Sequence, residues 1–204
     1  MNWQEFTALL VLATAMSFSP GPNTTLSTAL AANGGLPRAM RFVIAVPVGW
    51  TLLLAICAAG LGALVVAMPP LRLAIKGLGI AYLLWLAYKL SGSAKLGKAD
   101  NASLSVGFTQ GVMLQFVNIK AWLLALTLSA GWVVNAGGQP AANPGERLAI
   151  ICLVMAGFAF TSNFAYALMG SLLRSWLAEG RRLLWFNRVL ALVLVGTAGW
   201  MVTV

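Results

Sequence analysis

The sequence predicts an all-α, polytopic membrane protein of six transmembrane helices arranged as two inverted three-helix repeats. Three observations carry that prediction. The 204 residues are 60% apolar and 8% charged, with a mean hydropathy of +0.89, against roughly 45–50% and about 25% in soluble domains. Seventeen charged side chains cannot wet the surface of a soluble fold this size, so lipid is the outer solvent. Apolar runs near the roughly 20 residues that a spanning helix needs recur six times with short connections. That leaves one membrane domain over 1–204 and no sizeable domain outside the bilayer.

The first span runs roughly from Trp3 to Ala32, with Glu5 as its sole charge and no basic segment ahead of it, so it reads as a retained helix rather than a secretory signal. Ser17-Phe18-Ser19-Pro20-Gly21-Pro22-Asn23 interrupts it. Two prolines remove two backbone donors and push their predecessors out of the α region, so the helix breaks or kinks near mid-membrane. Asn33-Gly34-Gly35-Leu36-Pro37-Arg38 is a turn by composition. The second span covers about Met40 to Val66 and ends at Met68-Pro69-Pro70, and the third covers about Leu71 to Leu90. Residues 91–104 form the first clearly hydrophilic stretch and the natural linker between halves 1–90 and 105–204. The fourth span, about Val106 to Val134, contains Gln115, Asn118 and Lys120. The fifth covers about Leu148 to Leu173. A basic segment from Arg174 to Arg188 leads into the last, about Val189 to Val204, whose shortness places its start nearer Leu183.

Charge supports topology rather than nucleic-acid binding, because the 13 basic residues are scattered instead of forming one stripe. Nine Lys and Arg fall in the connections after spans 1, 3 and 5, and three (Arg72, Lys76 and Arg147) fall on the opposite side. The positive-inside rule then puts both termini outside. Three spans per half force the second half to enter the membrane from the other side, which makes the halves inverted repeats. The proline-disrupted part of span 1 and the Gln115, Asn118, Lys120 cluster of span 4 occupy matching places, and matched interruptions point to a binding site at the midplane.

An opened helix in lipid leaves amides and carbonyls that are tolerated only where they face protein, water or ligand. Pro20, Gly21, Pro22, Asn23 and Thr24 therefore read as ligand-binding, with the amide and carbonyl ends suited to the carboxylate and ammonium of a zwitterion; the alternative is a packing kink. Lys120 is the only charge near the centre of any span, where insertion costs about 2.5–3.5 kcal/mol. It lies some 20 Å of helix from either end of a span of about 29 residues, too far for its side chain to reach the surface. No Asp or Glu lies inside a span, so a substrate carboxylate or freed carbonyls near Pro20 are its expected partners. Asn118, two residues before Lys120, shares its azimuth only if the helix is locally unwound. In span 5, Asn163 and Tyr166 share a face and can bind ligand or join helices. Gly107 and Gly111 read as packing, and the tryptophans near span ends, such as Trp3 and Trp185, as interface anchors. With no histidine, and with Cys57 and Cys152 both in apolar runs, neither a metal nor a cofactor is expected.

Ser19-Pro20-Gly21-Pro22-Asn23, together with Gln115-Phe116-Val117-Asn118-Ile119-Lys120, resembles the LysE/RhtB family of bacterial amino-acid exporters over essentially the whole chain. That family's second motif is usually asparagine-proline-lysine, and Ile119 stands here in place of the proline. The form around Gln115 to Lys120, with Asn163 followed by Gly170, is similar to the branch containing the cysteine and O-acetylserine exporter. The resemblance implies a bacterial inner-membrane exporter of surplus amino acids, an antiporter driven by the proton gradient. A site without a carboxylate suits a small neutral amino acid, such as cysteine, O-acetylserine, serine, threonine or homoserine, better than lysine or arginine. Lys120 is then the one evident proton carrier. The rival readings are an exporter of another metabolite, a membrane assembly subunit, or an intramembrane Ser/Lys enzyme using Ser17 or Ser19, for which no acid, histidine or metal set is present. The sequence leaves a homodimer open.

Overall fold

A computed structural model describes residues 1–93, 106–136 and 138–203. The part of the expected midpoint linker from residue 94 onward lies outside those residues. Among the described residues the regular structure is helical apart from a two-residue antiparallel ladder, Asn135–Ala136 with Gln139–Pro140, in the loop before the fifth expected span.

The expected first span is two helices, α1 (Trp3–Phe18) and α2 (Pro22–Gly34). α1 starts on a reciprocal cap, with Glu5 N–H donating to Asn2 Oδ1 and Asn2 N–H to Glu5 Oε2. It stops at Ser19, whose ψ of 139° is the extended conformation that a following proline demands. α2 begins with Pro22 at its first position, where the missing N–H is lost at no cost. α3 (Leu36–Ile56) runs through a π-helical turn at Cys57–Leu61 into α4 (Gly62–Ala67), and Gly60, at φ +95°, bends the join. Met68 separates it from α5 (Pro69–Ser91), and α6 (Phe108–Val117) and α7 (Ile119–Leu128) follow, α7 continuing as a π-helical turn to Val134. α8 (Pro144–Leu172), the short α9 (Arg174–Leu177) and α10 (Arg182–Thr203) complete the chain.

Among the described residues, four helices are long and apolar enough to cross a bilayer: Leu36–Ala67, Pro69–Ser91, Pro144–Leu172 and Arg182–Thr203. The pair Phe108–Val117 and Ile119–Val134 makes a fifth if it is read as one span bent by 69°. α1 and α2, at 16 and 13 residues, are each too short to span alone.

α2 is the most enclosed helix, with nine of its 13 residues buried. It lies against α3, α8 and α10, while α5 packs along α10 and α3 along α6. Two close approaches need glycine. A Cβ on Gly79 of α5 would land on the carbonyl oxygen of Val117, and one on Gly170 of α8 would land on that of Thr28 in α2. The apolar interior falls into two main clusters strung along α3. One gathers Phe42, Val43 and Val46 with Leu26, Leu83 and Leu114; the other gathers Trp50, Leu53 and Leu54 with Leu9, Leu128 and Ile151. Burying a side chain of this kind contributes roughly 1.5–3 kcal/mol in water-based accounting. In lipid the same shapes serve by close packing.

Candidate functional site

Between Val46 and Trp50, where the two apolar clusters meet, a cavity of about 60 Å³ opens. A single water needs roughly 10–15 Å³ by this measure, so the space suits a ligand of a few heavy atoms. Both helix breaks reach it, α1–α2 from one side and α6–α7 from the other.

The second break forms without a proline. Asn118 sits at φ −89°, ψ 102°, outside the helical region, and its side-chain oxygen accepts from the Lys120 backbone N–H at 3.2 Å. Its carbonyl takes the N–H groups of Ala121 and Trp122 at 2.9 and 3.1 Å. The Trp122 indole N–H donates to the Phe116 carbonyl at 2.7 Å, satisfying one of the acceptors that α6 leaves at its end. Ile119 thus occupies the first position of α7, where the family motif carries its proline.

The two breaks are tied to each other. Lys120 Nζ donates to Ser19 Oγ at 2.6 Å and to the Ser19 carbonyl at 3.4 Å, across 101 residues of sequence. Asn23 and Gln115 exchange a reciprocal pair of amide hydrogen bonds at 2.9 and 3.1 Å, and Gln115 Nε2 also donates to the Gly111 carbonyl at 3.1 Å. Inside the first break, the Gly21 N–H donates to Thr24 Oγ1 at 3.1 Å. Ser27 Oγ donates to Asn163 Oδ1 at 2.9 Å, and the Asn163 amide donates to the Ala159 carbonyl at 2.8 Å.

Of the residues singled out in the sequence, Gly21, Pro22, Asn23, Thr24, Asn118, Lys120 and Asn163 line the cavity. Gln115 does not; it is fully buried behind Asn23. Tyr166 does not either, its hydroxyl donating to the Phe18 carbonyl at 3.0 Å at the edge of the first break. Pro20 lines a neighbouring groove of about 490 Å³ between that break and α10, which Lys120, Ser19 and Gly21 also border. Trp50 lines the cavity and drew no notice in the sequence, and Ser162, one of the polar residues beside Asn163 in span 5, lines it too. Ser19, part of the expected break and a conceivable nucleophile beside Lys120, is the hydrogen-bond partner of Lys120 through its hydroxyl and its carbonyl.

Among the described residues, Lys120 is the one titratable side chain that lines the cavity. The ion pairs described lie elsewhere: Arg182 with Glu179 at 2.6 Å, and Arg147 with Glu5 at 3.1 Å. Arg147 is buried at the N-terminal end of α8, and its Nε donates to the Trp132 carbonyl, so one side chain joins α1, α8 and the end of the α7 helix. No group of three or more His, Cys, Asp or Glu able to hold a metal occurs among the described residues.

Residues 14–203 match the family model described as LysE type translocator. A cysteine/O-acetylserine efflux protein of Klebsiella pneumoniae is 32% identical over 179 residues, covering 87% of this chain and 88% of that protein. Proteins of the same description from Salmonella typhimurium and Escherichia coli are 31% identical over 181 residues and 30% identical over 186 residues. These alignments cover 88% of this chain with 88% of the Salmonella protein, and 90% with 89% of the Escherichia protein. No solved structure matches the chain.

Proposed function

The chain belongs to the LysE type translocator family, and from that premise we propose that it exports small neutral amino acids of the cysteine and O-acetylserine kind through the cavity between its two helix breaks. It is a transporter, not an enzyme. The observation that carries the reading is Lys120: a mid-span cation held on Ser19 beside a small cavity lined by no acidic side chain. A substrate carboxylate is the charge missing from that arrangement. The positive ends of α2 and α7, which both start at the breaks, add to the attraction. The substrate ammonium finds oxygen acceptors in the Ser19 carbonyl and in Ser162 and Asn163. A cationic side chain finds no counter-charge, which favours neutral substrates.

The chain sits in the bacterial inner membrane with both termini outside. α1 and α2 together make one span, α6 and α7 another, and the halves are inverted repeats whose broken helices meet at the midplane. The two apolar clusters flanking the cavity along α3 form the inner and outer seals, which part in turn. Lys120 also carries the coupled proton: it binds the carboxylate while charged and resets by proton exchange.

The test is uptake of labelled amino acids into inside-out vesicles. Saturable uptake of small neutral amino acids that Lys120→Met abolishes is the expected result. Absence of uptake for every amino acid by folded wild type would overturn the reading. For coupling, Lys120→Arg keeps the charge and cannot release a proton, so it should retain substrate binding and lose gradient-driven accumulation; full accumulation would refute the proton role alone.

A further inference from the structure

A further cavity lies behind the α6–α7 break. It is a cavity of about 220 Å³ between α4, α5 and α7, to which Ile119, Trp122, Leu123 and Leu126 present apolar surface and Arg72 and Lys76 present charge. The start of α7 is two-faced. Asn118, Lys120 and Ala121 look into the small central cavity, while Ile119 and Trp122 look into this one.

Arg72 and Lys76 are four residues apart on α5 and so share a face. Lys76 Nζ is held by the Val202 carbonyl at 2.8 Å, which fixes it at the cavity wall. Among the described residues no acidic side chain lines the space, and its other walls are apolar, the Trp122 ring among aliphatic side chains. Exposed Val66 and Leu73 at its border show that it opens onto the lipid-facing side of the bundle. A free amino acid is a poor occupant, because its ammonium would meet two cations and no acceptor carboxylate. An amphiphile with one negative charge and a long apolar body matches both halves of the lining, since Arg and Lys make charge-assisted hydrogen bonds to phosphate oxygens while the apolar walls take the chain.

We propose that this cavity binds an anionic glycerophospholipid. Its phosphodiester rests between Arg72 and Lys76, and one acyl chain lies over Leu123 and Leu126 against Trp122 and Ile119. The lipid then fills the back of the break in the helix that carries Lys120 and supports the bend from outside. This does not depend on which substrate the central cavity takes.

Native mass spectrometry of the purified full chain tests it, after delipidation and exposure to equimolar phosphatidylglycerol and phosphatidylcholine with identical acyl chains. Wild type should retain phosphatidylglycerol about tenfold over phosphatidylcholine, each basic residue near the surface adding of order a fewfold. Arg72→Gln should cut that ratio severalfold, the double variant R72Q/K76Q should bring it to about one, and Arg72→Lys should keep it. Leu123→Trp, which narrows the acyl path without touching charge, should lower phosphatidylglycerol retention while α5 keeps its cations. Equal retention of both lipids by wild type overturns the proposal. So does a ratio unchanged in R72Q/K76Q, or a dimer that cross-links through Leu73 and carries no lipid, which would give the cavity to a second copy. Arg72 is exposed, so R72Q can be judged even if the double variant fails to fold.

Discussion

The Asn23–Gln115 pair is where the two helix breaks bear on each other most directly, and its energy can be worked out. Gln115 is fully buried and makes three hydrogen bonds, two shared with Asn23 and one to Gly111. Interhelical hydrogen bonds in membrane proteins average about 0.6 kcal/mol and reach about 1.7, and a stranded buried amide costs about 1–3 kcal/mol. Gln115→Leu should therefore destabilise the fold by about 2–4 kcal/mol, and Asn23→Leu by roughly 1–3 kcal/mol. Once one amide is gone the other is already stranded, so the double variant should cost less than the two single losses combined, with a coupling energy of about 1–3 kcal/mol. Reversible unfolding of the four proteins in mixed micelles, followed by circular dichroism, reads this cycle. Stability is the right readout because Asn23 also lines the candidate site, where a loss of transport would be ambiguous. Single losses that add to within about 0.5 kcal/mol, the margin for independent sites, would refute the claim that this pair joins the breaks.

Three further expectations are sharp enough to test. Gly170→Ala puts a methyl group on the Thr28 carbonyl, and since backbone cannot rotate aside, the loss should reach about 3 kcal/mol, the upper part of the usual overpacking range; thermal unfolding in detergent checks it. Ile119→Pro should leave the bend intact and change stability by no more than about 1 kcal/mol, because Asn118 is already extended and proline is at home in the first position of a helix; equal melting temperature and transport would be seen. Glu5→Gln and Arg147→Gln should each lower thermal stability, and the charge exchange Glu5→Arg with Arg147→Glu should recover part of it, since the pair joins α1 to α8; no recovery would mean that packing, not the pairing, holds that end.

The four spans long enough to cross a bilayer alone were readable because lipid demands apolar helix and proline or glycine punctuates its ends; the expected Leu71 to Leu90 became Pro69–Ser91 and the expected start near Leu183 became Arg182. The first break was equally plain, since Pro20 and Pro22 leave the backbone little choice. The second was visible only as polar residues in an apolar run. Ile119 is no helix breaker, and what holds the chain open there is side-chain chemistry: the Asn118 cap and the Trp122 indole reaching back to Phe116. A freed carbonyl near Pro20 was an expected partner of Lys120, and it is that of Ser19; other pairings between residues far apart in sequence were out of reach, including Asn23 with Gln115 and Arg147 with Glu5. Gly79 looked like any other glycine in an apolar run, because its need for the missing Cβ arises only when α5 meets the end of α6.

α2 makes a polar contact with three different helices along its length: Asn23 with Gln115 of α6, Ser27 with Asn163 of α8, and Asn33 with Asn187 of α10 through a second reciprocal amide pair at 2.9 Å. On the proposed export cycle, three rivets spaced along 13 residues should make this short helix the stator, and movement between inward and outward openings should fall to what hangs from the breaks, α1 on one side and α7 on the other. Spin labels on α1 and α7 should report distances that broaden or split when substrate is added, while labels on α2 and α8 keep one fixed separation throughout.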